Sequence, residues 1–505
     1  MSNTMKIGLN VFGDKVAGNN EEMNLVTDGG ALIDFAVCHV EGRNYTLDQA
    51  KELARRLSQV FEKAGVDFIT NFEYANWSDN CTAADGTQWA YDEEGCHRVA
   101  LPDGFVFELC KSDRFKGIMY DEFEHIVLNR NPTIQISSKM KKIIPVFPLL
   151  KTRDAVKQGE KLTEQLKGYA DSFFSRGIPA MMGEHNYPVL LHKFAQSGIT
   201  PNYKSLKENL SNVAFAMASG AALQYDLPLY NCADCWYMLT NPGHTPEEMY
   251  YNLVFAYNAG VDSAYVESVN VMTENGALTP HGEAFRRFCT EYKSKERGYS
   301  SKDYRPEIGI INYDDGFWGQ WYPIIFKKCL LSNPKLKPDY RSREIFKAFN
   351  IITHGETCKN GFSWGRFSLW SLKKHFSFVS MNSTAVFDHN ADEKVLSSLK
   401  LCFLTGIHIS EKTLTAVKNA VNKNGMTAVT PRRFAPKEIL SSAKGMVSEI
   451  PDGNGKWIVI KGYRAPGLKK RVKEYLGKKG EMRFTFTNGS VTMKIGKDKK
   501  SFTVV

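Results

Sequence analysis

Short apolar runs alternate with longer amphipathic stretches from the N-terminus to about residue 315. The run at 6–12 predicts a strand. The stretch 46–65 opens on Thr46, keeps apolar residues at helical spacing and closes on Gly65, which predicts a helix with both ends marked. The apolar run at 66–74 predicts the next strand. These three segments predict one β-α-β unit.

The same alternation continues along the chain. Strands are predicted at 6–12, 66–74, 115–121, 142–150, 179–184, 227–236, 261–268 and 306–314. Helices are predicted at 152–176, 204–224, 245–260 and 279–294. Eight strands with helices between them predict an α/β fold of the (β/α)8, or TIM barrel, type.

The pattern changes after residue 315. An irregular aromatic-rich region runs to about 380, and strand-helix alternation then restarts, which predicts a second, small α/β domain. The Asn488-Gly489 pair between two alternating runs predicts a β-hairpin in a small C-terminal β domain. The predicted domains are 1–335, 336–440 and 441–505.

Three of the predicted strands end on acidic residues. In a (β/α)8 barrel the carboxyl ends of the strands line one cavity, so these acids are expected to lie close together. The acids and the polar residues at neighbouring strand ends are Asp121, Glu122, Glu184, Glu267, Asn10, Asn71, His185, Asn186, Asp234, Trp236 and Asn270. Carboxylates, amides and tryptophan are typical of a sugar-binding site, because hydroxyl groups need acceptors and donors while sugar rings stack on aromatic faces. Each acid could instead cap the next helix or pair with an arginine.

Composition and motifs narrow the function classes. We find no apolar run near the ~20 residues of a membrane helix and no secretion signal, so a soluble protein is expected, cytoplasmic or exported with its signal removed. The ten cysteines are scattered, and Cys232 and Cys235 have no second ligand pair, so buried thiols are favoured over a metal site. No nucleotide, zinc-protease or serine-hydrolase motif occurs. No metal or cofactor is expected.

The formal net charge of +10 comes from a basic surplus after residue 391. Such a surplus could suit an acidic polymer or a nucleic acid. No nucleic-acid-binding signature accompanies it, and the lysines fall in ordinary helix and hairpin patterns, so a solvated basic surface is favoured.

Two segments carry a resemblance to a known family. The segment "LKLCFLTGIHISEKTLTAVKNAVNKNGMTAVTP" resembles an amidotransferase-like domain, and "AYNAGVDSAYVES" followed by "LTPHGEAFRRF" resembles the seventh strand and final helices of retaining glycoside hydrolase barrels. The order of the domains resembles that of the family that includes trimeric β-galactosidases. The resemblance implies a glycosidase that retains configuration, and it leaves a homo-oligomer open.

Two hypotheses remain at this stage. In the first, the chain hydrolyses a glycosidic bond of an oligosaccharide or glycoside, with Glu267 as nucleophile and Glu184 or Glu122 as acid/base. In the second, it is a catalytically inactive barrel that binds carbohydrate or serves in assembly. The second is favoured by one departure: the related enzymes carry an Asn-Glu pair at the fourth strand, and no predicted strand end here has one. The first is favoured by three acidic strand ends, which exceed what binding requires.

Overall fold

The computed structural model of this 505-residue chain describes residues 3–40, 46–72, 101, 103–120, 150–185, 190–207, 209–236, 243–267, 271–317, 329–331, 333, 335–361, 377–497 and 499–505. Four of the predicted site residues, Asp121, Glu122, Asn186 and Asn270, lie outside them, as does all but the last residue of the predicted strand at 142–150. No helix in the described ranges is long and apolar enough to cross a membrane.

Eight parallel strands form a closed barrel in chain order, and β1 pairs with β8 to close it. The strands are β1 Lys6–Phe12, β2 Phe35–His39, β3 Asp67–Asn71, β4 Phe115–Tyr120, β5 Met181–His185, β6 Thr200–Leu206, β7 Tyr230–Asp234 and β8 Ser263–Glu267. The described helices around them are α1 Gly13–Gly18, α2 Glu21–Thr27, α3 Leu47–Ala64, α4 Asp103–Cys110, α5 Ala155–Phe174, α6 Leu191–Gln196, α7 Ser211–Tyr225, α8 Pro246–Asn258 and α9 Pro280–Tyr292. The predicted fold class is confirmed.

Local capping signals explain why several helix boundaries were predictable. The side chain of Thr46 accepts a hydrogen bond from the backbone of Gln49, whose own side chain bonds back, and Gly65 ends α3 with φ of 66°. Thr245 and Glu248 form the same box at the start of α8, where Pro246 is the first helical residue. These signals need only neighbouring residues, so they are visible in the sequence.

The barrel has eight strands, as predicted, but their assignment was partly wrong. The predicted strands did not include β2, which follows only the short helices α1 and α2 rather than a crossover helix of usual length. They also did not include β6, whose buried positions include Asn202, Lys204 and Ser205 instead of an apolar run. The helix predicted at 204–224 therefore begins only at Ser211. The strand at 261–268, matched to a seventh barrel strand, is the eighth.

A six-stranded sheet follows the barrel, in the order β12-β11-β13-β14-β16-β15. Its strands are β11 Ile308–Ile311, β12 Thr384–Phe387, β13 Leu401–Leu404, β14 Thr427–Pro431, β15 Val447–Asp452 and β16 Gly455–Ile460. Only the pairing of β15 with β16 is antiparallel. The predicted strand at 306–314 is thus the second strand of this sheet and not part of the barrel. The sheet contains β11, which precedes the predicted domain boundary at 336, and β15 and β16, which follow the one at 441. The predicted division into three domains stays a prediction.

Two short β elements accompany the large sheets. The hairpin of β9 Thr273–Glu274 and β10 Ala277–Leu278 follows the barrel, and β17 Glu481–Phe486, β18 Gly489–Ile495 and β19 Phe502–Val504 form an antiparallel sheet near the C-terminus. The predicted hairpin is confirmed, with Thr487 and Asn488 as its loop and Gly489 as the first residue of the returning strand. The remaining described α-helices are α10 Glu344–Ile352, α11 Glu393–Leu396, α12 Glu411–Asn424, α13 Lys437–Ser442 and α14 Leu468–Val472.

The barrel and the six-stranded sheet pack closely through α7. The Cα of Gly220 in α7 lies so near β12 that an added Cβ would stand 1.7 Å from the carbonyl oxygen of Val386. On the neighbouring helix α6, the ring Nε2 of His192 lies 2.7 Å from the same oxygen. The glycine therefore permits this backbone approach.

Replacing Gly220 with Ala is expected to lower the free energy of unfolding by about 1–3 kcal/mol or more, because the methyl group must push α7 from β12. Urea unfolding of the purified variant measures the loss. Gly168→Ala is the matched control: Gly168 is exposed in α5 with nothing within 4 Å of its added Cβ, so it should stabilise by about 0.5–1 kcal/mol. Equal stability of the two variants would contradict the close contact.

Candidate active site

A buried lysine joins three carboxylates at the carboxyl end of the barrel. Lys204 Nζ on β6 lies 3.1 Å from Glu184 Oε1, 3.3 Å from Asp234 Oδ2 and 2.8 Å from Glu267 Oε2. The three acids end or nearly end β5, β7 and β8, so strands on both sides of Lys204 contribute. The exposed fractions of the side chains are 0% for Glu184, 1% for Lys204 and Asp234, and 13% for Glu267. We call these four residues the carboxylate cluster.

Strand alternation explains why these side chains meet. Residues two apart on a strand point to the same side, so Asn202 and Lys204, Cys232 and Asp234, and Tyr265 and Glu267 all face the barrel interior. Below the cluster, the interior is filled by a layer of apolar and aromatic side chains: Phe35, Val37, Ile69, Met119, Met182, Cys232 and Tyr265. The cluster therefore sits on a packed floor, as expected for the mouth of a (β/α)8 barrel.

The carboxyl groups of Asp234 and Glu267 are driven to opposite protonation states. Burial and then the charge of Asp234 raise the pKa of Glu267 well above its ordinary value, although Lys204 opposes them. Burial also acts to raise the pKa of Asp234, but Lys204 and Lys207 outweigh it and hold that pKa below its ordinary value. Asp234 and Glu267 are neighbours in register on adjacent strands. The pair thus shares one proton, which rests on Glu267.

Glu184 has a different set of partners. The hydroxyl of Tyr265 donates a hydrogen bond to Glu184 Oε2, and the amide of Asn202 donates to that hydroxyl at 2.9 Å. Together with Lys204 these contacts fix the orientation of the Glu184 carboxylate. Burial raises the pKa of Tyr265 well above its ordinary value, so the phenol keeps the proton that it donates.

One group of side chains has the spacing of metal ligands. An oxygen of Glu184, the sulfur of Cys232 and an oxygen of Glu267 all lie within 4.8 Å of one another. However, the ammonium of Lys204 already contacts both carboxylates, and burial raises the pKa of the Cys232 thiol well above its ordinary value. A thiol hydrogen-bonded to Glu267 at 3.3 Å beside a lysine fits an ion-paired cluster better than the deprotonated set that a metal requires.

Three further predicted binding residues lie at two places around the barrel mouth, beside His39 and beside the carboxylate cluster. Asn10 and Asn71 meet at the ring of His39, which ends β2: both amide nitrogens lie within hydrogen-bonding distance of Nε2. Trp236 remains beside the cluster, since its backbone N–H donates to Asp234 at 2.8 Å and its ring lies 4.8 Å from Lys207 Nζ. These contacts place polar and aromatic groups around the mouth.

His185 does not join the cluster. Its ring packs against Phe194 of α6, with the centroids 4.7 Å apart, because it follows Glu184 on the strand and therefore faces outward.

Sequence reasoning missed Lys204, Lys207, Tyr265 and His39. A strand assignment at 200–206 would have indicated the first, since Lys204 lies two residues after Asn202 and would share its inward face.

Comparisons with known proteins give a fold and no family assignment. No family model and no curated protein matches the chain. Among solved structures, Gan42B, a GH42 β-galactosidase from G. stearothermophilus, matches with a TM-score of 0.51 and 9% identity, over 98% of this chain and 92% of that one. A catalytic mutant of the same enzyme gives the same values. At this identity the likeness shows a shared fold.

Proposed function

We propose that this protein is a glycoside hydrolase that cleaves an O-glycosidic bond at the carboxyl end of its barrel. The observation that carries the proposal is the convergence of Glu184, Asp234 and Glu267 on Lys204. Hydrolysis of a glycoside usually needs one protonated carboxyl group for the leaving oxygen and one ionised carboxylate as nucleophile or base. The cluster holds carboxyl groups in both states. The shared fold with a β-galactosidase supports the same reaction class.

The protonation states suggest which residue is the acid. A general acid must carry its proton near the working pH, and Glu267 has a raised pKa with the largest exposure of the three carboxyl groups. We therefore assign the acid role to Glu267, which departs from the nucleophile role predicted from sequence. Asp234 is then a positioning residue whose charge keeps the proton on Glu267. The nucleophile is then Glu184 or Glu122.

The spacing of the carboxyl groups supports retention of configuration. Retaining glycosidases hold their two carboxyl groups about 5–5.5 Å apart, whereas inverting enzymes leave about 6.5–9.5 Å for a water molecule. Oxygens of Glu184 and Glu267 lie within 4.8 Å of each other. This distance fits direct attack by a carboxylate on the sugar better than attack by an intervening water.

A panel of nitrophenyl glycosides with different sugars and both anomers tests the function, together with unmodified oligosaccharides. We expect hydrolysis of at least one sugar by the full chain, and proton NMR of the first product should show the starting anomeric configuration. A protein that binds sugars in the same panel without releasing any nitrophenol would favour the second candidate, a carbohydrate-binding barrel. The specific observation in favour of that candidate is the complete burial of Glu184 against Lys204.

Replacing Asp234 with Asn is expected to shift the pH dependence of hydrolysis. The charge of Asp234 raises the pKa of Glu267, so its removal lowers that pKa. The acid then loses its proton at lower pH, and the alkaline limb of the kcat/KM profile should move to lower pH. Asp262→Asn is the control: Asp262 accepts from the backbone of Leu229 at the opposite end of the barrel and should leave that limb in place. An unmoved limb in Asp234→Asn would contradict the acid assignment.

A further inference from the structure

A cavity lies between α5 of the barrel and the six-stranded sheet. It has a volume of about 620 Å³ and is bordered by the start of α5 and by Ile407, which follows β13. Because α5 leads back to the amino end of β5, its own N-terminus lies at the carboxyl end of the barrel. The cavity therefore lies at the same end of the barrel as the carboxylate cluster.

The charged groups around this cavity are mostly cationic. They are Arg153, Lys335, Lys337 and Arg341, with Asp154 and Asp339 as the acids. Asp339 is paired with Arg341 at 2.7 Å. Asp154 caps α5 by accepting from the backbone N–H groups of Val156 and Lys157 at 2.9 and 3.3 Å.

Three of the cations remain without such a partner. Within the described residues, no carboxylate lies within 4 Å of the charged groups of Arg153, Lys335 or Lys337. In total, four cationic side chains stand against two carboxylates in the cavity wall. The cavity thus presents an excess of positive charge to whatever enters it.

A second group of cations lies around α10, which begins three residues after the cavity residue Arg341. Burial lowers the pKa of Lys347 in α10, and the charges of Arg464 and Arg343 lower it further. The carboxylate that opposes this effect, Glu344, is bound by the guanidinium of Arg433. These cations therefore add to the positive potential beside Arg341.

We propose that this cavity binds the anionic groups of an acidic oligosaccharide, either sulfate esters or carboxylates. The proposal rests on the proposed glycoside hydrolase function and extends it to the class of substrate. A volume of 620 Å³ lies in the range of small-molecule sites, about 300–1,000 Å³, and exceeds the need of one inorganic anion. Their position at the same end of the barrel allows one chain of sugars to approach both the cavity and the carboxylate cluster.

Isothermal titration of the full chain with three oligosaccharides of equal length, one sulfated, one carrying uronates and one neutral, tests the proposal. We expect at least one anionic probe to bind more tightly than the neutral one, with an affinity that falls as salt is added. The sulfated and uronate probes distinguish the two sources of charge. Equal affinity for all three would overturn the proposal, and so would tighter binding of a short oligonucleotide than of either glycan.

Reversing the charge of three cations in the cavity wall tests whether this cavity is where the anionic probe binds. The triple variant Arg153→Glu, Lys335→Glu, Lys337→Glu should bind the anionic probe about 10-fold to 100-fold more weakly, as expected for the loss of several charge-assisted contacts. The control triple variant Lys63→Glu, Lys412→Glu, Lys423→Glu reverses three exposed cations elsewhere, with the same change in net charge, and should bind normally. Equal weakening by both triples would overturn the assignment to this cavity.

Hydrolysis of a neutral nitrophenyl glycoside separates this proposal from the proposed function. The cavity triple should hydrolyse the neutral substrate at the normal rate, because its substitutions lie outside the carboxylate cluster. Hydrolysis without preference for anionic probes would remove the cavity proposal alone. Preference for anionic probes without any hydrolysis would remove the glycosidase function and leave the cavity as a binding site.

Discussion

Glu267→Gln is expected to slow hydrolysis of unmodified oligosaccharides by about 100-fold to 10,000-fold, the usual contribution of a general acid. Gln has nearly the same shape and cannot donate a proton to the leaving oxygen. Glycosides whose leaving group departs as a stable anion, such as dinitrophenol, need little acid assistance. Their first step should therefore lose much less. Comparing kcat/KM for substrates with leaving groups of different pKa measures the difference.

Azide provides an independent readout of the role of Glu267. In a retaining enzyme that lacks its acid/base residue, azide can attack the glycosyl-enzyme from the face vacated by the leaving group, and the product keeps the configuration of the substrate. In an enzyme that lacks its nucleophile, azide attacks the substrate directly and inverts it. Glu184→Gln, the same substitution at the other glutamate of the carboxylate cluster, is the matched comparison for Glu267→Gln. An inverted azide product from Glu267→Gln, with equal losses on all leaving groups, would restore the nucleophile assignment predicted from sequence.

Lys204→Met is expected to lower the free energy of unfolding by about 3–5 kcal/mol, the typical cost of removing one partner from a buried ionic group. The side chain of Met has a similar length, so the main change is the loss of one positive charge among three carboxyl groups. Without it, the carboxyl groups of Asp234 and Glu267, whose pKa values Lys204 lowers, are pushed toward their protonated forms in the folded state. A carboxyl group whose pKa is raised on folding favours the folded state at low pH and loses that contribution as pH rises. The destabilisation should therefore grow from acidic to neutral pH.

Urea unfolding at several pH values measures this effect. Lys207→Met is the matched control, since Lys207 contacts only Asp234 of the cluster carboxylates, at 3.5 Å, and should cost less. The double variant Lys204→Met, Glu184→Gln removes one of the carboxyl groups that have lost their partner and should recover part of the stability. A loss for Lys204→Met that is no larger than for Lys207→Met, and constant with pH, would show that Lys204 does not balance the cluster.

The parts of this molecule that could be predicted from sequence are those set by neighbouring residues. The helix at α3 was visible because Thr46, Gln49 and Gly65 mark its ends locally. The convergence of Glu184 and Glu267 was also predictable, because any parallel barrel brings the carboxyl ends of its strands together. That argument holds although two barrel strands were missed, since it depends on where each strand ends and not on its place in the ring.

The centre of the site could not be predicted in the same way. Lys204 occupies a buried position on β6 only because Glu184, Asp234 and Glu267 arrive from strands far away in the chain. A lone lysine in "TPNYKSL" carries no local sign of those partners. Its polarity also interrupts the apolar run that would have predicted a buried strand. The roles of Asp121 and Glu122 remain predictions, since both residues lie outside the described ranges.

The position of β11 in its sheet has a consequence for the order of events during synthesis. This strand lies between β12 and β13, yet it is made directly after the barrel, about seventy residues before β12. At about 5–20 residues per second, a ribosome needs several seconds to supply that first neighbour. During this interval Ile308–Ile311 emerges as an apolar segment with both hydrogen-bonding edges open. The nascent chain must therefore shield this segment, by contact with the finished barrel or with a chaperone, until the rest of its sheet has been translated.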